Sequence, residues 1–493
     1  MVCSRSQFWS KRPTLRILSF PRVWVFGLAA FLFPALVRVV PEIVAGPYPI
    51  GYDTVNSYAP FMLDWGLGNS TFSPVIGGWV VYALFGGIYI ATRIDPIVIV
   101  KTAAPIFYGV LGVSEFIFAQ RVLRWRHGKS LFLVMVASMD FVLLRFSWDL
   151  FRNTLGLALL LLYFAYRTDP NSWRKEIVFT FLAWLVVVTH VLVGVVLVGI
   201  VCLELITSAR TPQLKKVVPI IPASAQIVSS VIGLQGQGIS IVAGGGPSTI
   251  VSVSALALTV LVPIVSLAFF GYRSLKSRLV GCWVLICLIG LLSETQPISI
   301  SSELVAPERW LLMLGVPVVF YAIEGVSRLL ASSSLGKVTV RRAVGLCWLT
   351  IFVALGVAFV GLPASDALSY FSSFTPTSML QSSVPLEDSR SLVSSFSWLS
   401  ANIDQGSVLM THHAMYGWAR LYFHGNNPLI AYPPQTTLEQ GLVLTISQGY
   451  AEIYTVWWTD HYGWYGESTV PACFQEVHHE GRMGVYLCLA RVT

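Results

Sequence analysis

Long apolar runs separated by short polar segments fill residues 23–362. Runs of about 20 apolar residues predict membrane-spanning helices. The pattern predicts eleven, at 23–41, 96–120, 130–146, 153–166, 177–189, 191–208, 217–232, 249–271, 279–293, 310–330 and 343–362. Past residue 363 the period changes. A Ser-rich linker (365–383) leads to a predicted helix at 388–402, a strand at 407–412 and a helix at 415–423. A strand at 428–432, a helix at 436–448 and a strand at 452–458 follow, and a hairpin turning near Glu480–Gly481 ends the chain. Strands alternating with helices predict a small parallel α/β sheet. About 130 residues are enough for one independent core. The predicted fold is thus an α-helical polytopic membrane domain (1–362, with a long loop 42–95) followed by an extracytoplasmic α/β domain (363–493).

Composition agrees with this division. The 493 residues are 55% hydrophobic and 11% charged, with a mean hydropathy of +0.70. A soluble domain carries about 25% charged residues. A soluble enzyme, a disordered scaffold and a nucleic-acid-binding domain are all excluded, although the pI is near 9.1.

The placement of charge decides topology. The run 75–92 is apolar enough to span, but spanning would put Arg121, Arg124, Arg126 and Lys129 outside, against the positive-inside rule. It reads instead as a juxtamembrane or re-entrant helix. The stretch 177–208 would be about 48 Å long as one helix, against a core of roughly 30 Å. Two short spans turning at Thr189–His190 keep Arg210, Lys215 and Lys216 inside. With these choices the inner segments hold 22 of the 32 Lys and Arg residues, while Asp53, Asp64, Asp95, Asp149, Glu294, Glu303 and Glu308 gather outside. The N-terminus is then cytoplasmic. The first run, preceded by five basic residues, reads as an uncleaved helix.

Of seven cysteines, only Cys473 and Cys488 fall in the outer tail without being in a predicted span or the N-terminal segment. They are equidistant from the predicted turn, so a disulfide across the hairpin and two unpaired thiols are both consistent with the pattern. Six of eight histidines lie in the tail, without a metal-ligand spacing. No P-loop, dinucleotide fingerprint, serine elbow or paired CxxC is present. Asn69-Ser70-Thr71 is a glycosylation sequon.

Ionisable groups at membrane depth are costly and often functional. Asp53, in a Gly-Tyr-Asp-Thr turn, has two readings: a general base at the membrane face, or a cap on the following helix. Glu42 and Asp64 compete with it. Arg309 either holds a lipid phosphate, or pairs with Glu308 or Glu303, or snorkels. Arg152 is a further phosphate candidate, or a helix-surface partner of Asp149. His190, at the predicted turn, either donates to a phosphate or is a buried structural histidine.

These pieces resemble the GT-C superfamily of polytopic glycosyltransferases. The likeness lies in a first span followed by a long loop with an acid (GYDTVNSYAPF), and in AQRVLRWRHGK, LFRNTLGLALLLLYFAY, VVVTHVLVG and PERWLLMLGVP. The tail segments WLSANIDQGSVLMTHHAMYGW and FQEVHHEGRMGVYLC look like outer domains of such proteins. The resemblance implies a polyprenyl-phosphate-linked sugar donor, a glycan, lipid or protein acceptor, Asp53 as catalytic acid residue, and Arg309, His190 and Arg152 on the donor phosphate. It implies no cofactor and no resident metal, except that a diphosphate donor would call for a divalent ion. The sequence departs from the O-mannosyltransferase Asp-Glu pair, and its Val456-Trp457-Trp458-Thr459-Asp460 has an extra Thr relative to the WWD motif of oligosaccharyltransferases. The rival readings are a flippase or transporter of lipid-linked sugars and a non-catalytic component of surface-polymer assembly. No internal repeat supports transport.

Overall fold

The structure is a computed structural model that describes residues 20–68, 78–167, 173–207, 217–235, 240–243, 264–293, 298–301, 307–331, 340–361, 382–432, 436–459 and 470–490. The sequon, the linker 365–381 and Asp460 lie outside the described residues.

Helix α1 (Phe20–Val44) ends at Gly46, whose φ of +60° suits a left-handed helix stop. A π-helical turn, Thr54–Tyr58, leads into α2 (Ala59–Gly66), and α3 (Trp79–Thr92) follows. Next come α4 (Pro96–Arg121), α5 (His127–Ala137), α6 (Phe141–Trp148) and α7 (Phe151–Tyr166). Then α8 (Trp173–Thr189), α9 (Val191–Thr207) and α10 (Ile221–Gln235) are followed by strand β1 (Ser240–Ala243). After a helical stretch at 264–272 stand α11 (Arg278–Ser293), strand β2 (Ile298–Ser301), α12 (Pro307–Ala331) and α13 (Val340–Gly361). β1 and β2 pair antiparallel.

Among the described residues, Val23–Val44, Pro96–Arg121 and Arg309–Leu330 are long and apolar enough to cross a membrane. The pair α5–α6, bent by 67°, makes a fourth if it is one span. The other apolar helical stretches have 10–17 residues, Arg342–Ala358 within α13 among them. This is a membrane protein. The predicted unbroken helix at 130–146 is corrected by the bend. Asp140 at the break accepts the Leu143 N–H at 3.4 Å, so its carboxylate starts a new helix instead of continuing the old one.

Buried charge ties this bundle together. Arg38, fully buried in α1, donates through Nε to the Ser147 carbonyl at 2.9 Å and through Nη2 to the Trp148 carbonyl at 3.2 Å. It thereby caps the C-terminus of α6, where a cation opposes the helix dipole. Glu42 lies 2.6 Å from Arg38 and 2.7 Å from Lys101, so this competing carboxylate is already neutralised from two helices.

The tail folds as α14 (Ser389–Asn402), β3 (Val408–His412), α15 (His413–Tyr422), β4 (Leu429–Tyr432), α16 (Leu438–Ser447), β5 (Glu452–Trp458), β6 (Phe474–Glu480) and β7 (Met483–Leu489). The five-stranded sheet runs β4-β3-β5-β7-β6. β3 pairs parallel with β4 and β5, while β7 joins β5 and β6 antiparallel, so the sheet is mixed. Leu392, Phe396, Leu409, Trp418, Val456 and Val485 are fully enclosed in its core.

The hairpin changes the expected register of Cys473 and Cys488 and holds them in one of the two states the pattern allowed, as thiols. The turn falls at Gly481–Arg482, one residue later than predicted, and a bulge between Glu476 and His478 shifts the register again. Cys488 therefore lies opposite Phe474, and both cysteines are thiols. Burial and the neighbouring Cys473 thiol push Cys488 up to about 12.

Candidate functional site

The site forms where the loop after α1 meets the break between α6 and α7. Gly51 begins the turn with φ +94°, and a Cβ there would lie 2.2 Å from the Asp149 Cβ. Only glycine allows that approach. Two residues on, the Asp53 backbone N–H donates to Asp149 Oδ2 at 3.2 Å. Asp149 in turn pairs with Arg145, one helical turn earlier.

The Asp53 side chain makes no capping bond to the turn that follows it. It accepts instead from Arg152, with Nη2 to Oδ2 at 3.4 Å. Both side chains retain partial exposure, at 17% and 22%. This overturns the reading of Asp53 as a helix cap. It also corrects the Asp149–Arg152 pairing. Residue 149 lies beyond the end of α6 and residue 152 inside α7, so they share no helical face.

Three further contacts fix Arg152. Its guanidinium stands 5.6 Å from the centroid of the Tyr82 ring, an attractive cation–π distance. Its electrostatic neighbours include the buried Tyr58. Gly78 presses on its stem, since a Cβ at Gly78 would come within 2.8 Å of Arg152 Cδ. The Gly78 N–H also donates to the Val188 carbonyl at 2.9 Å, joining the start of α3 to the end of α8.

His190 stands at the next residue but one. The helix breaks there, between α8 and α9, as the charge pattern predicts. The buried His190 accepts the Val193 N–H at Nδ1, 3.4 Å away. It packs on α7 one turn past Arg152, because a Cβ on Gly156 would lie 3.3 Å from the His190 Cβ. Arg152 and Arg309 are its two charged neighbours. Arg309 enters from the first turn of α12. Its proposed acidic partners Glu303 and Glu308 have side chains outside the described residues.

The fold therefore collects Asp53, Arg152, His190 and Arg309 from four separate elements. Sequence reasoning missed Tyr58 and Tyr82, and it gave Asp149 to Arg152 instead of to the Asp53 turn and Arg145. Asp149 was legible as an acid at a helix break, but nothing local linked it to Asp53. Among the described residues, no group of three His, Cys, Asp or Glu is arranged to hold a metal. Asp53 and Asp149 each have a guanidinium partner, so a divalent ion between them would have to displace Arg152 and Arg145.

No known family profile matches the sequence, and no curated protein does. Solved structures do match in architecture. ArnT from Cupriavidus metallidurans, in the apo state, aligns with a TM-score of 0.50 at 12% identity, over 96% of this chain and 99% of ArnT. The chain has a GT-C-like fold. An Archaeoglobus fulgidus oligosaccharyltransferase aligns with a TM-score of 0.49 at 12% identity, over 86% of this chain and 67% of that one. The arabinofuranosyltransferase AftD from Mycobacteria aligns with a TM-score of 0.49 at 12% identity, over 96% of this chain. This chain spans 40% of the AftD chain.

Proposed function

We propose that this protein is a membrane glycosyltransferase that moves a sugar from a polyprenyl-phosphate-linked donor to an acceptor on the extracytoplasmic face. The observation that carries the reading is the Asp53–Arg152 pair, set beside His190 and Arg309 in a GT-C-like fold. A carboxylate next to several cationic or hydrogen-bonding groups suits a reaction that removes a proton at one atom and builds negative charge at another.

The acceptor hydroxyl attacks the anomeric carbon, and its proton passes to Asp53. The bond from that carbon to the phosphate oxygen breaks, and the electron pair leaves on the lipid phosphate. Arg309 and His190 bind that phosphate, with Arg309 supplying the charge. Arg152 holds Asp53 in the orientation for proton abstraction and stays next to the departing group. One displacement inverts the anomeric centre. The lipid enters sideways between helices, the N-terminus is cytoplasmic, and the α/β domain lies outside.

The test is transfer from a panel of polyprenyl-phosphate sugars to a hydroxyl acceptor, for wild type and for Asp53→Asn and Arg309→Ala. Sugar transfer that falls in both variants supports the reading. Movement of intact lipid-linked sugar across vesicles without bond cleavage would replace it with a flippase.

A further inference from the structure

We infer that α15 of the C-terminal domain is a positioning element for the Asp53 turn, so that the membrane site is complete only when that domain is docked. The inference rests on the transferase reading for the word "site". The docking itself stands on contacts that do not depend on it.

The α15 helix lies along the segment that carries Asp53. The Gly417 N–H, in the middle of α15, donates to Asn56 Oδ1 at 2.9 Å. That N–H is inside a helix and is reachable only because Gly417 has no side chain. A Cβ there would lie 2.2 Å from the Val55 carbonyl oxygen and 2.5 Å from its carbon. Backbone atoms cannot yield to such an overlap as a flexible side chain can. One turn further on, Arg420 reaches Asp64 at 2.5 Å, which occupies the other competing carboxylate of the loop. At the start of α15, the His413 ring lies 5.6 Å from the ring of Tyr52.

These contacts bracket Asp53 in the chain. Tyr52 is held immediately before it, and Val55 and Asn56 shortly after. Val55 is fully buried and belongs to the core of the C-terminal domain, not to the core of the helix bundle. Tyr58, at the far end of the same turn, belongs to a different cluster with Phe85, Phe107 and Phe151 of the bundle. The π-helical turn Thr54–Tyr58 thus spans the junction, anchored at one end in each core. Asn56 closes it by donating through Nδ2 to the Tyr52 carbonyl at 3.1 Å. Wide turns of this kind recur at functional sites because the extra residue re-aims neighbouring groups. Here the group just before it is Asp53.

The consequence is that α15 sets where the Asp53 carboxylate points without touching it. Displacing the turn by about 1 Å costs on the order of 10²-fold in rate for a positioned group. The effect should fall on kcat, because the phosphate-binding His190, between α8 and α9, and Arg309, on α12, stay in place.

The experiment uses the full-length protein in lipid nanodiscs, with Gly417→Ala on the domain side and Asn56→Ala on the loop side. Hydrogen exchange is read at the amides of residues 52–58 and of β3 and β5. Transfer kinetics are read with the best donor from the panel above. The expected result is exchange at 52–58 at least about tenfold faster in both variants, with β3 and β5 still protected. With it, kcat falls about 10- to 100-fold, while KM for the polyprenyl-phosphate sugar stays within about twofold. Unchanged exchange at 52–58 in both variants overturns the docking. Faster exchange with undiminished kcat overturns the positioning role. If Gly417→Ala unfolds the C-terminal domain, seen as lost protection in β3, then Asn56→Ala alone decides. A wild-type protein that transfers no sugar would sink the transferase reading, while the exchange measurement would still decide whether α15 holds the turn.

Discussion

Arg152 and Asp53 are separated by 99 residues of chain and joined by a 3.4 Å ion pair. Asp53 reaches that point from a turn bonded to Asp149, and Arg152 from the first turn of α7. The pair sets the Asp53 carboxylate next to a cation that Tyr82 and Tyr58 also hold in place. Asp53→Asn keeps the shape and removes the charge and the proton acceptor. Transfer should fall by about 10²- to 10⁴-fold in kcat. Activity equal to wild type would show that Asp53 accepts no proton in the reaction.

Arg309 should act on binding where Asp53 acts on chemistry. A charge-assisted hydrogen bond is worth about 1.5–3 kcal/mol. Arg309→Ala is expected to raise KM for the donor by roughly ten- to a hundredfold. The check is donor KM measured together with kcat: a variant in which both equal wild type removes Arg309 from the phosphate.

Arg38 is a structural cation. It is fully buried, it caps α6 through two carbonyls and it neutralises Glu42. Arg38→Met keeps the bulk and leaves both sets of partners short of a donor. The cost should be about 3 kcal/mol, the lower range for breaking a buried pair, because Lys101 still serves Glu42. Thermal unfolding in detergent measures it, and a melting temperature equal to wild type would contradict the capping role.

The histidine at the start of α15 gives a pH dependence with a definite sign. Burial pushes His413 below its ordinary value near 6.5. Its ring neighbours are Tyr52 and His412. In the unfolded chain the imidazole takes up a proton from about pH 6.5 downward, and in the fold it resists doing so. The contribution is therefore complete above about pH 6.5 and is lost as pH falls below that. The melting temperature of wild type should decline between pH 7 and 5, and His413→Gln should flatten part of that decline. Parallel profiles for the two proteins would show that this histidine is not the group responsible.

The two cysteines of the hairpin should differ in reactivity. Cys473 is exposed, while Cys488 is buried and held up to about 12. The thiolate is the reactive form. Maleimide at pH 7 should label Cys473 first, as read by peptide mass mapping of the native protein. Labelling of neither without reductant, and of both with it, would reveal a disulfide in place of two thiols.

Several features were legible because they depend on local period or on charge counting. Every helix and strand expected between residues 388 and 489 is present within a few residues, since alternation and turn chemistry act over short stretches. The break at His190 was legible because charge in the next loop demanded a reversal. The break at Asp140 was missed, because an apolar window averages over one acid. The Cys473–Cys488 register was missed, because a later turn and a bulge each move pairing by one residue.

The site was legible only as a set of unconnected residues. Asp53, Arg152, His190 and Arg309 each stood out as polar groups next to apolar runs. Their partners could not be read, because a long-range ion pair leaves no periodic trace in either strand of sequence. Asp149 looked like the partner of Arg152 three residues later, until the helix break separated them.

Sequence alone determined the membrane character, the runs that become helices and the α/β pattern of the tail, because these follow from hydrophobic spacing that each segment satisfies by itself. The tertiary structure decided which carboxylate meets which guanidinium, and that a helix of the tail grips the turn next to Asp53. Those choices come from close packing, where a missing Cβ at Gly51 or Gly417 lets two distant backbones touch. No local pattern encodes which surfaces will do so.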